Sequence, residues 1–196
     1  MLMRLEIGVG FGKDGDLRQR RYKFNPRVCG SDVVYIELRK PEDPEFKRLG
    51  NWVVADAQHL PFKSDIFDEV YASHVIEHLP DVHMFFSEVR RVMKCMGRLY
   101  IWTPNFMSPN ATRDPTHKHI FSFMSLGRML KTYGFKPHYG GINIAPFFKP
   151  FYLICKLICL IICNELFVMG EKLPAREKKK KKKKKLDNVY PKVCLV

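Results

Sequence analysis

The chain has 196 residues, of which 46% are hydrophobic and 13% aromatic, which is enough for one domain with a real core and too apolar for a disordered chain. The formal net charge is +14, but the unbroken run Lys178–Lys185 carries eight of those charges and leaves +6 elsewhere, so basicity alone does not make the folded part a nucleic-acid binder, nor exclude nucleic acid as a partner. The cysteines Cys29, Cys95, Cys155, Cys159, Cys163 and Cys194 form neither a Cys-x-x-Cys pair nor a disulfide framework, and no signal peptide is recognisable, so a reducing, cytoplasmic setting is expected.

A first strand is expected over Met1–Val9, running into the alternating glycines Gly8, Gly10 and Gly12 of LEIGVGFG. Glycines so placed let backbone approach a ligand where a Cβ would collide. Residues 14–27 are basic and suit a short helix before Pro26. Val33–Leu38 reads as a second strand ending near Glu37, Pro41–Leu49 as a helix, and Trp52–Ala55 as a third strand closed by Asp56. Phe67–Ser73 is a fourth strand. Phe85, Val89, Val92, Met93 and Met96 share one face of a helix expected over Asp81–Met96, stopped by Gly97. A fifth strand follows over Arg98–Thr103, then a long polar loop over Asn105–Ile120, a helix over Ser122–Tyr133 ended by Gly134, a sixth strand over Phe135–Ile144 and a seventh over Glu165–Gly170.

Strands alternating with helices predict an α/β fold with a mostly parallel sheet covered on both faces. The apolar run Phe151–Cys163 would span only about 20 Å as a helix, short of a bilayer core of about 30 Å. It suits a core or lid helix, a dimer surface, or a helix lying on a membrane. Cys155, Cys159 and Cys163 share one stripe of that helix but lack a fourth ligand, and read as small hydrophobes. Residues 1–172 are expected to form the folded domain, and the lysine-rich residues 173–196 a solvated, disordered tail.

Three acids stand at successive strand ends: Glu6 in the glycine motif, Glu37 after the second strand and Asp56 after the third. In a parallel sheet these ends line one ligand-binding edge. A carboxylate after the second strand can accept from both hydroxyls of a ribose, and one after the third can reach an adenine amino group.

With these pieces in view, the chain resembles the class I S-adenosylmethionine (SAM)-dependent methyltransferases, in particular the methyltransferase type 11 group. The matching stretches are LEIGVGFG, the acid in YIEL, VVADAQHLPF, FDEVYASHVIEHL and GRLYIWTPN. The resemblance implies a Rossmann-like fold of seven strands, the last antiparallel, with SAM across the ends of strands one to four. It places Glu6, Gly8, Gly10 and Gly12 beside the methionine part of SAM, Glu37 at the ribose, Asp56 and Ala57 at the adenine, and Ser73 and His74 beneath the sulfonium and methyl group. It also implies N-terminal helices over the pocket. This sequence begins at the first strand, so an open pocket, a protein partner or second copy covering it, or a late start is expected.

Two other motifs compete. Gly10 to Gly15 also satisfies G-x-G-x-x-G with Glu37 beyond it, as in a dinucleotide oxidoreductase. His74-Val75-Ile76-Glu77-His78 matches H-x-x-E-H, a zinc hydrolase motif if helical. No metal is expected. His74, and His117 and His119 in the loop after the fifth strand, are candidate bases or substrate contacts, since imidazole titrates near neutral pH. The expected activity is methyl transfer from SAM to a small-molecule or lipid-like acceptor, with peripheral membrane contact through the apolar run and the lysine tail. A non-catalytic SAM-binding module is the alternative.

Overall fold

The structure is a computed structural model that describes residues 2–9, 27–38, 50–139 and 165–174. The helix expected before Pro26, the one expected over 41–49, Gly10, Gly12, the apolar run 151–163 and the lysine run lie outside these residues. Seven strands form one sheet: β1 (Arg4–Ile7), β2 (Val33–Glu37), β3 (Trp52–Val54), β4 (Phe67–Ser73), β5 (Met93–Pro104), β6 (Phe135–Tyr139) and β7 (Glu165–Lys172), in the order β3-β2-β1-β4-β5-β7-β6. β3, β2, β1, β4 and β5 run parallel, and β7 is antiparallel to both β5 and β6. This is the Rossmann-like arrangement expected, with the reversed last strand. Among the described residues the helices are α1 (Val82–Val92), α2 (Pro109–Arg113) and α3 (Phe123–Thr132), and none is long and apolar enough to cross a membrane.

Alternation along the strands divides the sheet into two faces. Leu5, Ile7, Ile36, Val70, Ala72, Leu99, Ile101, Leu166 and Val168 point to one face and join the inward residues of α1 and α3 in a single core cluster. The opposite face carries Tyr35, Tyr71, Tyr100, Trp102 and Phe167, with Tyr71 and Tyr100 stacked at 4.7 Å and Trp102 and Phe167 at 4.7 Å.

α1 starts where Asp81 caps it, its carboxylate accepting from the N–H groups of His83 at 2.8 Å and Met84 at 3.2 Å. Val82, Phe85, Phe86, Val89 and Val92 are its buried stripe. The helix ends at Val92, not at Met96 as the helical spacing suggested. The N–H groups of Asp65 and Ile66 take the last carbonyls, of Arg91 at 3.0 Å and Val92 at 2.9 Å, and Met93 already pairs with Phe67 in the sheet. The register shifts between Phe67 and Glu69, and Gly97 sits in that irregularity. A Cβ there would lie 2.9 Å from the Lys94 carbonyl oxygen and 3.0 Å from that of Asp68. Gly97 therefore belongs to a bulge inside β5 rather than to a helix end. The loop after β5 also contains a short helix, α2, that the prolines concealed, and buried Asn105 bridges to Phe121 at its base.

Candidate functional site at the carboxyl edge of the sheet

Parallel pairing carries the C-terminal ends of β1 to β5 to one edge, and antiparallel β7 returns Glu165 there opposite Pro104. β1 ends in a turn at Gly8, whose φ is +72° and whose added Cβ would lie 2.2 Å from Val75 Cγ2. Only glycine fits. The next residue, Val9, donates its N–H to Glu37 Oε2 at 3.0 Å, so the acid ending β2 is held against the turn after β1.

Glu6 behaves differently. Its carboxylate is 1% exposed and accepts from the N–H groups of Arg27 at 2.7 Å and Val28 at 3.2 Å. Burial pushes its pKa up to about 6, partly offset by those two amides. Its position in β1 ties the segment entering β2 to the strand.

After β3, Asp56 accepts from Gln58 N–H at 2.8 Å and from the Gln58 side-chain amide at 3.1 Å. Gln58 in turn accepts from the N–H of Asp81 at 2.8 Å, which links the end of β3 to the cap of α1. Ala57 is buried beside them.

At the end of β4, Ser73 Oγ accepts from Arg27 Nη2 at 3.1 Å. His74 follows with φ of +54°, a conformation that costs a non-glycine residue about 1–3 kcal/mol. Carboxylates hold it there: Nε2 lies 2.7 Å from Glu165 Oε1 and Nδ1 lies 3.1 Å from Glu77 Oε1. The bonds to Glu165 and then Glu77 raise its pKa to about 9, and His74 lowers that of Glu165. Expected as a candidate base, His74 in this arrangement carries a proton at neutral pH. Thr103 donates to the other oxygen of Glu77 at 3.0 Å, and Arg27 lies over the Trp102 ring at 4.8 Å.

Both loop histidines are spent on backbone carbonyls, one within the loop and one in the turn after β4. His117 Nδ1 donates to the Ala111 carbonyl at 3.1 Å, and His119 Nε2 to the Leu79 carbonyl at 3.0 Å. The His74–His78 motif is a turn after a strand, with His78 N–H bonded to the Val75 carbonyl at 3.0 Å, and His74 and His78 do not share a helix face. The helix that a zinc-hydrolase reading of this motif requires is therefore not formed. Arg27, Glu77 and Glu165 join the site without having been singled out for it. Glu77 was visible only inside a motif, whereas Glu165 reaches the edge because β7 runs antiparallel.

A family model described as a methyltransferase domain matches residues 5–101, the stretch that builds this edge. The chain belongs to the class I SAM-dependent methyltransferases. It is similar to phosphoethanolamine N-methyltransferase 2 of Caenorhabditis elegans, 31% identical over 101 residues, which are 50% of this chain and 22% of that protein. It is also similar to demethylmenaquinone methyltransferase of Thermobifida fusca, 35% identical over 100 residues, covering 50% of this chain and 41% of that one. The chain thus spans less than half the length of these two curated relatives. Among solved structures, Burkholderia thailandensis 1,6-didemethyltoxoflavin-N1-methyltransferase shares the fold with a TM-score of 0.56 and 17% identity, covering 88% of this chain and 71% of that one, and was crystallised with S-adenosylhomocysteine. The cofactor of the family is SAM, and the dinucleotide reading of the glycine motif gives way to it.

Proposed function

We propose that residues 1–172 catalyse methyl transfer from SAM to a small-molecule or lipid-like acceptor. One observation carries the reading: the Gly8 turn, Glu37, Asp56 with Ala57, and Ser73 stand at the ends of four neighbouring parallel strands. There β1 is flanked by β2 and β4, the point from which the chain winds in both directions and where open α/β sheets take ligands.

The residues at this edge suit the cofactor. The turn at Gly8 has no room for a side chain and keeps backbone close to the edge. Glu37 offers paired acceptors for ribose hydroxyls, and Asp56 and Ala57 form the adenine end. Gly10 and Gly12 are assigned to the methionine side on the resemblance alone, Glu6 anchors the strand beneath them through Arg27 and Val28, and Ser73 and His74 stand toward the reactive end. SAM supplies an electrophilic methyl group on a sulfonium that is already a good leaving group. The work left to the protein is orientation and exclusion of water. His117 and His119 belong to the loop on the acceptor side.

The proposal extends to a cytoplasmic location with peripheral membrane contact, and to a protein partner or second copy covering the pocket. Acceptors named for the relatives differ from one another, so the acceptor is assigned here only by class.

Isothermal titration with SAM tests the reading. A hydrogen bond to a charged group contributes about 1.5–3 kcal/mol, so Glu37→Ala or Asp56→Ala should weaken SAM binding roughly tenfold or more. Unchanged affinity in both variants would refute the placement. Labelled SAM and cell extract then identify the methylated acceptor, and tight binding with no transfer to any component would assign a SAM-binding subunit instead.

A further inference from the structure

Where the turn after β4 faces the loop after β5, Glu77, His78 and His117 each bring one potential ligand atom within 4.8 Å of the other two. From this geometry we infer a binding site for one divalent transition-metal ion of the zinc class, held by Glu77, His78 and His117. Two imidazoles and a carboxylate are the donor set such ions take, and three protein ligands leave a position for water or an oxygen of a bound molecule.

The hydrogen bonds around the cluster prepare both rings for this role. His117 Nδ1 donates to the Ala111 carbonyl at 3.1 Å. The Thr116 hydroxyl gives its proton to Asp114 Oδ1 at 2.7 Å, so at 3.1 Å from His78 Nδ1 it can only accept, and His78 donates through Nδ1. Both rings therefore present a bare Nε2. A metal-ligating histidine is oriented in this way, its second nitrogen tied to a carbonyl or hydroxyl.

The rings pack 4.7 Å apart at 62°, which brings the turn and the loop together at this point. Glu77 is 1% exposed and steadied by Thr103 at 3.0 Å and His74 at 3.1 Å. Asp114 Oδ2 stands 3.8 Å from His117 Nε2 as a further carboxylate at the rim. The trio differs from the helical His74–His78 pair suggested by the motif, because His74 turns away to Glu165.

Bound metal would clamp the loop carrying α2 onto the turn at the end of β4. The inference does not depend on methyl transfer, and metal binding is measured without it.

The test is titration of the full-length chain with Co²⁺, followed by visible absorption. One Co²⁺ per chain with d–d bands and no intense near-ultraviolet thiolate band is expected, which separates this site from the six cysteines. His78→Gln and Glu77→Gln retain side-chain hydrogen bonding and should each weaken Co²⁺ roughly tenfold or more, as should His117→Ala. Circular dichroism and an unchanged SAM affinity in His78→Gln identify a folded variant. Equal Co²⁺ affinity in wild type and folded His78→Gln, a thiolate-type spectrum, or no stoichiometric binding would each overturn the inference.

Discussion

Glu6 and Gly8 lie two residues apart, and each is decided by what it touches. Gly8 was legible because alternating glycines directly after an apolar strand mark a turn with no room for side chains. Glu6 sits in the same motif, yet its carboxylate is spent on the backbone of Arg27 and Val28, a contact across 21 residues that no local pattern announces. Its raised pKa makes a pH signature. A group whose folded pKa lies above its unfolded value of 4.5 contributes stability that is full below pH 4.5 and lost as pH rises toward about 6. The lost contribution is on the order of 2 kcal/mol. In Glu6→Gln, chemical denaturation measured across that window should lose this part of the wild-type slope, and an identical pH profile would mean that Glu6 is not buried as an acid.

At the scale of elements, α1 and β5 show where periodicity misleads. Met93 and Met96 continue the helical spacing of Val89 and Val92, but Met93 is fully buried in the sheet and Met96 is 57% exposed with φ of +63°. Backbone donors from Asp65 and Ile66, far away in sequence, stop the helix. The start of α1 is local chemistry and was correctly read to within a residue. Removing the cap in Asp81→Ala should cost about 1 kcal/mol of unfolding free energy in urea. Gly97→Val should cost more, about 1–3 kcal/mol, because a Cβ would meet two backbone oxygens that cannot swing aside. A Gly97→Val protein as stable as wild type would show that the bulge is absent.

For the whole molecule, strand order determines which residues can meet. Placing β1 between β2 and β4 assembles the edge from Gly8, Glu37, Asp56 and Ser73, and inserting β7 beside β5 delivers Glu165 to His74. A ligand that binds only the folded state stabilises it by about 2.7 kcal/mol at a hundred times its Kd. SAM should therefore raise the thermal midpoint of the wild-type protein by several degrees, and by clearly less at equal concentration in Asp56→Ala. Equal shifts in both proteins would place the cofactor away from the end of β3.

The sequence alone determined the α/β class, the seven strands, the glycine turn and the acids Glu37 and Asp56 at the ends of the second and third strands. Each is written in short-range patterns of apolar alternation, glycine and acids that follow strands. Tertiary structure decided the rest: Glu6 turned into a backbone anchor, His74 clasped by two carboxylates, the end of α1, and the meeting of Glu77, His78 and His117. These depend on pairings between distant residues and on which carboxylate or carbonyl a side chain finds once the sheet has formed. Local spacing can offer such partners, but only the fold brings them within hydrogen-bonding distance.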